Sequence, residues 1–284
     1  MTEQTTNPTP KAGRNLPAAI GVGVTLFVVL AAGLIWAPWF FTLMIAVGLG
    51  LAAVEVHRAL LLKGMRSEVV PIVIGTVVSV LGGYLAGRVN LHISAVGFAA
   101  ICLAATMLAS LTARLFRGTE GFIRDVAASA FVIAYIPLMG VFVPLLLAAD
   151  HGRLRILLVI MCVIGSDTGA YAVGVLIGRH KMAPSISPGK TWEGFVGGVV
   201  FAALIGVLGI YFLLDTHWWV GLILGALCSL GGTVGDLVES LIKRDAGLKD
   251  MSNFLPGHGG IMDRLDSMLV AVPVGWLVLH LALG

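Results

Sequence analysis

The chain has 284 residues, of which 58% are hydrophobic and only 12% charged, and its formal net charge is +3. A soluble core of this length needs a polar coat that such a composition, with a mean hydropathy of +1.00, cannot supply. A soluble globular protein is therefore excluded and a polytopic membrane protein expected. The 37 glycines suit close helix packing in lipid. Cys102, Cys162 and Cys228 stand in apolar stretches without paired spacing, which argues against a disulfide framework or a zinc site.

Residues 1–15 are polar, with Pro8, Pro10, Lys11 and Arg14, and read as a disordered cytoplasmic tail. No small-residue cleavage site follows the first apolar run, so that run is expected to be retained. Residues 16–284 then form a single transmembrane domain. Its expected spans are Ala18–Trp36, Trp39–Val56, Val69–Ala86, Ser94–Leu111, Val126–Leu147, Ile156–Leu176, Phe195–Leu214, Trp219–Asp236 and Ser267–Leu283. The fold class is all-α, a polytopic bundle of about nine transmembrane helices. Pro137 and Pro144 are placed to kink or split the fifth span, and Trp36-Ala37-Pro38-Trp39 marks a tight turn between the first two.

With the N-terminus inside, nearly all basic loop residues fall on the cytoplasmic side, and only Arg88, Arg153 and Arg155 fall outside. Arg58, Lys63, Arg66, Arg114 and Arg117 are read as topology signals and contacts for anionic lipid. A multi-pass location in a bacterial inner membrane is expected, with the polar segments facing the cytoplasm. The first 111 residues read as scaffold, and residues 160–267 carry nearly all the unusual groups.

Asp167 is the first of these groups, lying deep in a span within Ile164-Gly165-Ser166-Asp167-Thr168-Gly169. An unpaired carboxylate in hydrocarbon is costly, so it should face protein, a wet cavity or a cation. Next comes Ser187-Pro188-Gly189-Lys190-Thr191-Trp192-Glu193. Its Gly-Lys-Thr letters lack the upstream glycine and the strand of a phosphate-binding loop. Lys190 is still a mobile charge for phosphate, and Ser187 and Thr191 can donate hydrogen bonds where a helix begins.

The terminal region is denser. On a helix over Gly235–Arg244, Asp236, Glu239, Ser240 and Lys243 recur at three and four residues and share a face. A second polar face holds Asp263, Asp266 and Ser267, and Pro256-Gly257-His258-Gly259-Gly260 supplies a turn with exposed backbone donors. Such faces can bring Asp236 and Asp263 to one hard cation, for which carboxylates suit magnesium. Lys243, Arg244 and Arg264 would neutralise phosphate oxygens, while His258 lacks the companions a zinc site needs.

The ordered pattern Ser240-Leu241-Ile242-Lys243-Arg244, Lys249-Asp250 and Pro256-Gly257-His258-Gly259-Gly260-Ile261-Met262-Asp263-Arg264-Leu265-Asp266-Ser267 resembles the phosphatidate cytidylyltransferase (CDP-diacylglycerol synthase) family. Ser166–Tyr171 and Ser187–Gly194 are similar to further motifs of that family. Gly189 stands where members commonly carry a lysine, and Arg179 where many have one. The resemblance implies transfer of the cytidylyl group of CTP to phosphatidic acid, giving CDP-diacylglycerol and pyrophosphate for phospholipid biosynthesis. It implies a homodimer, dependence on Mg2+ held by Asp236 and Asp263, and a K+ nearby. The catalytic set is then Asp236, Asp263, Lys243 and Arg264. Phosphate binding falls to Ser187, Lys190, Thr191, Lys243, Arg244, His258 and Arg264, and organisation of the polar site to Asp167, Glu239 and Asp266. The partners are CTP, phosphatidic acid and membrane lipids, with no nucleic acid. Two other readings stay open at this stage: a CTP-dependent enzyme acting on an isoprenoid alcohol or ether lipid, and an ion-coupled transporter built around Asp167.

Overall fold

The computed structural model describes residues 25, 28–89, 93–254 and 259–284. Eight helices in this range are long and apolar enough to cross a membrane. The first expected span, Ala18–Trp36, lies largely outside the described residues; residues 28–36 of it are helical. In chain order the helices are α1 (Pro38–Leu62), α2 (Val69–Arg88), α3 (Ala95–Leu115) and α4 (Phe122–Tyr135). Short helices α5 (Pro137–Gly140) and α6 (Phe142–Ala148) follow, then α7 (Gly152–Ile177), α8 (Trp192–Leu213), α9 (Trp218–Ala246) and α10 (Met262–Leu283).

Local chemistry accounts for the breaks. Pro38 opens α1, where its missing N–H costs nothing, so the turn narrows to Ala37 alone. The fifth expected span is interrupted before Pro137 and again at Val141, giving α4, α5 and α6. A proline ring crowds the residue before it, and Ile136, still in the right-handed helical region, is distorted to φ −102° and ψ −72°. Pro144 breaks nothing, because it falls in the first turn of α6. The segment from Lys181 to Thr191 departs from the all-helical expectation. It forms an antiparallel hairpin of β1 (Lys181–Ala183) and β2 (Ser187–Thr191), with Lys181 opposite Thr191 and Ala183 opposite Ser187.

The expected eighth span and the polar helix after it are one helix. α9 has 29 residues, which is ~43 Å of helix against a hydrocarbon layer of ~30 Å. If Trp218 and Trp219 mark one boundary, the other falls near Asp236 and Glu239, and the last turns stand clear of the hydrocarbon. Packing of α9 on α8 leaves no space for side chains. At Gly221 a Cβ would come 2.2 Å from the Gly206 carbonyl oxygen, so the two backbones meet directly.

The loops at one end of the bundle are tied together by charge. Arg114 was expected to face lipid, but it is 2% exposed and paired with Asp125 at 3.0 Å. It also donates to the Gly118 carbonyl at 2.8 Å and to the Glu120 carbonyl at 2.5 Å. Asp125 in turn accepts the Arg66 N–H at 3.0 Å, and Arg117 pairs with Glu68. A guanidinium buried and engaged in this way is withdrawn from the headgroups. A second clasp runs across the bundle from Glu55 on α1, which is 4% exposed. Its carboxylate accepts the Ser252 hydroxyl at 2.5 Å, the Ile261 N–H at 3.0 Å and the Met262 N–H at 2.8 Å. Those last two are the unpaired donors at the start of α10, where negative charge is favoured.

Removing one partner of a buried ion pair strands the other, so Arg114→Ala should cost about 3–5 kcal/mol, read as a lower unfolding midpoint in detergent. Glu55→Ala should cost about 1.5–3 kcal/mol by losing hydrogen bonds to a charged acceptor. Protease cleavage between residues 248 and 254 should rise in that variant alone, since only it releases Ser252.

Candidate active site

Three helices and the hairpin meet at the end of the bundle that carries these loops. α9 presents Asp236, Glu239, Ser240 and Lys243 on one face, as the three- and four-residue spacing requires. Gly247 closes the helix at φ +73°, in the left-handed region, with the Leu248 N–H donating to the Lys243 carbonyl at 2.7 Å. α10 comes alongside because position 235 is glycine. A Cβ there would sit 2.2 Å from the Asp266 carbonyl oxygen.

This approach makes an acidic cluster. Asp236, Glu239 and Asp266 each offer a carboxylate oxygen, and the three oxygens lie within 4.8 Å of one another. Glu239 is fully buried. Its carboxylate meets the Lys243 ammonium. Lys243 also donates to Asp263 Oδ1 at 2.8 Å, so one ammonium joins two carboxylates. Asp263 Oδ2 accepts the Met251 N–H at 2.9 Å and the Gly260 N–H at 2.7 Å. Asp263 therefore stands beside the trio with both oxygens engaged. At the other side Lys190 reaches Asp236 Oδ2 at 2.6 Å, and Ser240 donates to Asp236 Oδ1 at 3.3 Å.

The hairpin is what delivers Lys190. Thr191 is buried, and its hydroxyl accepts the Gly194 N–H at 3.1 Å to cap α8. Glu193 holds the base of the hairpin by accepting the Arg179 N–H at 3.1 Å and the His180 ring at 2.5 Å. Arg244 donates to the Ile186 carbonyl at 3.3 Å and ties the hairpin turn to the end of α9. Ser187 opens β2 on the same strand as Lys190.

Asp167 lies on an unburied face of α7, within electrostatic reach of Asp236 and Lys190. The Ser166 and Ser229 hydroxyls, 2.7 Å apart, fix α7 against α9 at this level. Arg264 follows Asp263 on an exposed face of α10. His258 lies outside the described residues. Of the expected residues, Asp236, Glu239, Lys243, Asp263 and Asp266 with Lys190 form one contiguous network, and Asp167 borders it. Thr191 and Arg244 instead hold the hairpin.

Two contributors carry no motif in the sequence. Glu55 lies more than two hundred residues upstream of the helix start it secures. Tyr135 is buried, its hydroxyl has no hydrogen-bond partner among the described residues, and it lies within electrostatic reach of Glu239, Asp266 and Asp236. A tyrosine in mid-span two residues before a proline is the one signal that could have marked it, since a buried hydroxyl needs a polar neighbour.

A crowd of carboxylates threaded by lysines at the end of two spanning helices can hold a hard cation and polyphosphate together. Three carboxylates converge here, and the ammonium that meets buried Glu239 is shared with Asp263, so the donor set fits a hard divalent cation. Comparison with known proteins identifies the family. The chain matches the family described as the cytidylyltransferase family over residues 17–282. It is 38% identical to the phosphatidate cytidylyltransferase of Mycobacterium leprae over 98% of this chain and 92% of that protein. The Mycobacterium bovis enzyme of the same name is also 38% identical, over 98% of this chain and 93% of its own. A shorter match, 41% identical, links 51% of the chain to 57% of the Staphylococcus saprophyticus phosphatidate cytidylyltransferase. An alignment that takes in every membrane span described above, and the acidic network with them, makes this chain a member of the cytidylyltransferase family.

Proposed function

We propose that the protein transfers the cytidylyl group of CTP to phosphatidate, forming CDP-diacylglycerol and pyrophosphate for phospholipid synthesis. The observation that carries this reading is the convergence of the Asp236, Glu239 and Asp266 carboxylates, with oxygens within 4.8 Å of one another, between Lys190 and Lys243. The relatives named phosphatidate cytidylyltransferase, matched over nearly the whole chain, supply the substrates.

In the reaction an oxygen of the phosphatidate phosphate attacks the α-phosphorus of CTP, and the bond from that phosphorus to the α,β-bridging oxygen breaks. A phosphate monoester is largely dianionic near neutral pH, so no side chain need take a proton. Positioning and charge neutralisation are left as the protein's tasks. Asp236, Glu239 and Asp266 would hold Mg2+, with Asp263 reaching it as Lys243 turns to phosphate. When bound, the ion neutralises phosphate oxygens and stabilises the leaving pyrophosphate. Lys190 and Lys243 already stand on either side of the trio and need move only from carboxylate to phosphate. Arg264 approaches phosphate from α10, Arg244 and Thr191 hold the hairpin that carries Ser187 and Lys190, and Asp167 steadies the polar wall opposite. The Tyr135 hydroxyl lies within electrostatic reach of the cluster and adds a polar group to its apolar side. A K+ beside the cluster, a homodimer, and a bacterial inner membrane with this end in the cytoplasm complete the reading. The cytoplasmic side is supported by the basic loops gathered here.

The test uses purified protein in mixed micelles with phosphatidate and CTP labelled at the α-phosphate. Label should appear in CDP-lipid with equal pyrophosphate, vanish with a chelator and return with Mg2+. Asp236→Asn and Asp266→Asn should each lower the rate by about 10²–10³-fold with the unfolding midpoint little changed. Wild-type rates in a folded Asp236→Asn variant would remove the cluster from the reaction.

A further inference from the structure

Tyr135 is the last residue of α4, next to the distortion before Pro137. Its ring stacks on Phe131, one turn earlier, with centroids 5.7 Å apart and planes at 27°. The same residue belongs to an apolar cluster with Val238 and Ile242 of α9 and Met262, Leu265 and Leu269 of α10. On α9 Val238 precedes Glu239, and on α10 Leu265 precedes Asp266. The tyrosine is thus lodged against the apolar side of the two helices that supply the acidic trio. It is 8% exposed, and its hydroxyl is buried with no hydrogen-bond partner among the described residues. Glu239, Asp266 and Asp236 all lie within its electrostatic reach.

Packing explains the ring but not the hydroxyl. Phenylalanine would fill the same space without taking a polar group out of water, which is costly unless a hydrogen bond replaces the lost solvent. The carboxylates of the trio differ in the donors that already hold them. Asp236 accepts from Ser240 and pairs with Lys190, and Asp266 Oδ1 accepts the Ser267 N–H at 2.6 Å. Glu239 is met at Oε2 by the Lys243 ammonium, which Asp263 shares. Its Oε1 is buried with no hydrogen-bond partner among the described residues. A donor without an acceptor and an acceptor without a donor therefore belong to one site.

We propose that Tyr135 is a positioning residue: its hydroxyl donates to Glu239 Oε1 and keeps Oε2 turned toward Asp236 and Asp266, where a divalent cation would bind. A turn of Glu239 about its last side-chain bond, whose torsion is soft, completes the contact. The inference rests on the trio being a cation site. Where one carboxylate oxygen binds a cation, the hydrogen bond to the other sets the orientation of the ligand and its hold on the ion. Tyrosine suits this task because its donor sits on a rigid ring, which the stack with Phe131 fixes in turn. Acting through Glu239, the hydroxyl governs how tightly the cation is held and leaves the choice of substrate alone.

Binding of Mn2+ to the purified protein in detergent, followed by electron paramagnetic resonance of the free ion, tests this without substrates. Tyr135→Phe should bind Mn2+ about 10–100-fold more weakly than the wild type, with an equal or higher unfolding midpoint. In the cytidylyl-transfer assay the Mg2+ concentration giving half the maximal rate should rise by a similar factor, with KM for phosphatidate unchanged. A tyrosine that only packs would leave Mn2+ affinity where it is, and that result overturns the inference whatever happens to the midpoint. Asp236→Asn separates this role from the reading beneath it. Loss of Mn2+ binding in Asp236→Asn, with full binding in Tyr135→Phe, rejects the role of Tyr135 and keeps the cation site. Binding that is absent from the wild type, or undiminished in folded Asp236→Asn, removes the cation site and the inference together.

Discussion

Negative charge gathered where two spanning helices meet is the constraint that shapes the rest of this molecule. Asp236, Glu239 and Asp266 bring oxygens within 4.8 Å of one another, and Asp263 is joined to them through Lys243. Like charges at such separations repel strongly where the dielectric is low. Lys190 and Lys243 offset part of that repulsion, and both are flexible point charges that can leave a carboxylate for a phosphate. Arginine in their place would hold its planar geometry more firmly. Lysines can thus serve two states of one site, paired with carboxylate in one and with phosphate in the other.

Holding that charge in place requires rigidity from distant parts of the chain. α10 must begin where it does, and its first N–H groups are fixed by Glu55 on α1. α1 and α2 are fixed through their loop to α4 by Asp125, whose partner Arg114 comes from the end of α3. The first third of the chain is therefore more than a scaffold in the passive sense. A fully accepted carboxylate at a helix start is stronger than a neutral cap, because its charge meets the positive end of the helix.

The two substrates come from different phases, and the architecture answers this through length. α9 is ~43 Å long, enough to cross the hydrocarbon and carry its last turns beyond it. With Trp218 and Trp219 at one boundary, the carboxylates near Asp236 fall at the other, where a nucleotide from water and a phosphate from lipid can meet. The hairpin adds Lys190 to the polar end of the bundle.

Much of this was legible in the sequence. Apolar runs of bilayer length give helices because unpaired backbone groups are too costly in lipid, and the spans from α1 to α10 follow from that alone. The spacing of Asp236, Glu239 and Lys243 fixes a shared face through the 3.6-residue period, and Pro137 breaks its helix by local sterics. Tertiary structure alone decided which carboxylates converge. Asp263 and Asp266 are one turn apart on α10, and only the glycine contact between Gly235 and Asp266 turns Asp266 toward Asp236 and Glu239, leaving Asp263 to the loop amides. It alone turned Lys181–Thr191 into a hairpin, because a strand pair is defined by the partner it meets. It alone brought Glu55 and Tyr135 to the site, for contacts between residues a hundred or more positions apart leave no periodicity to read.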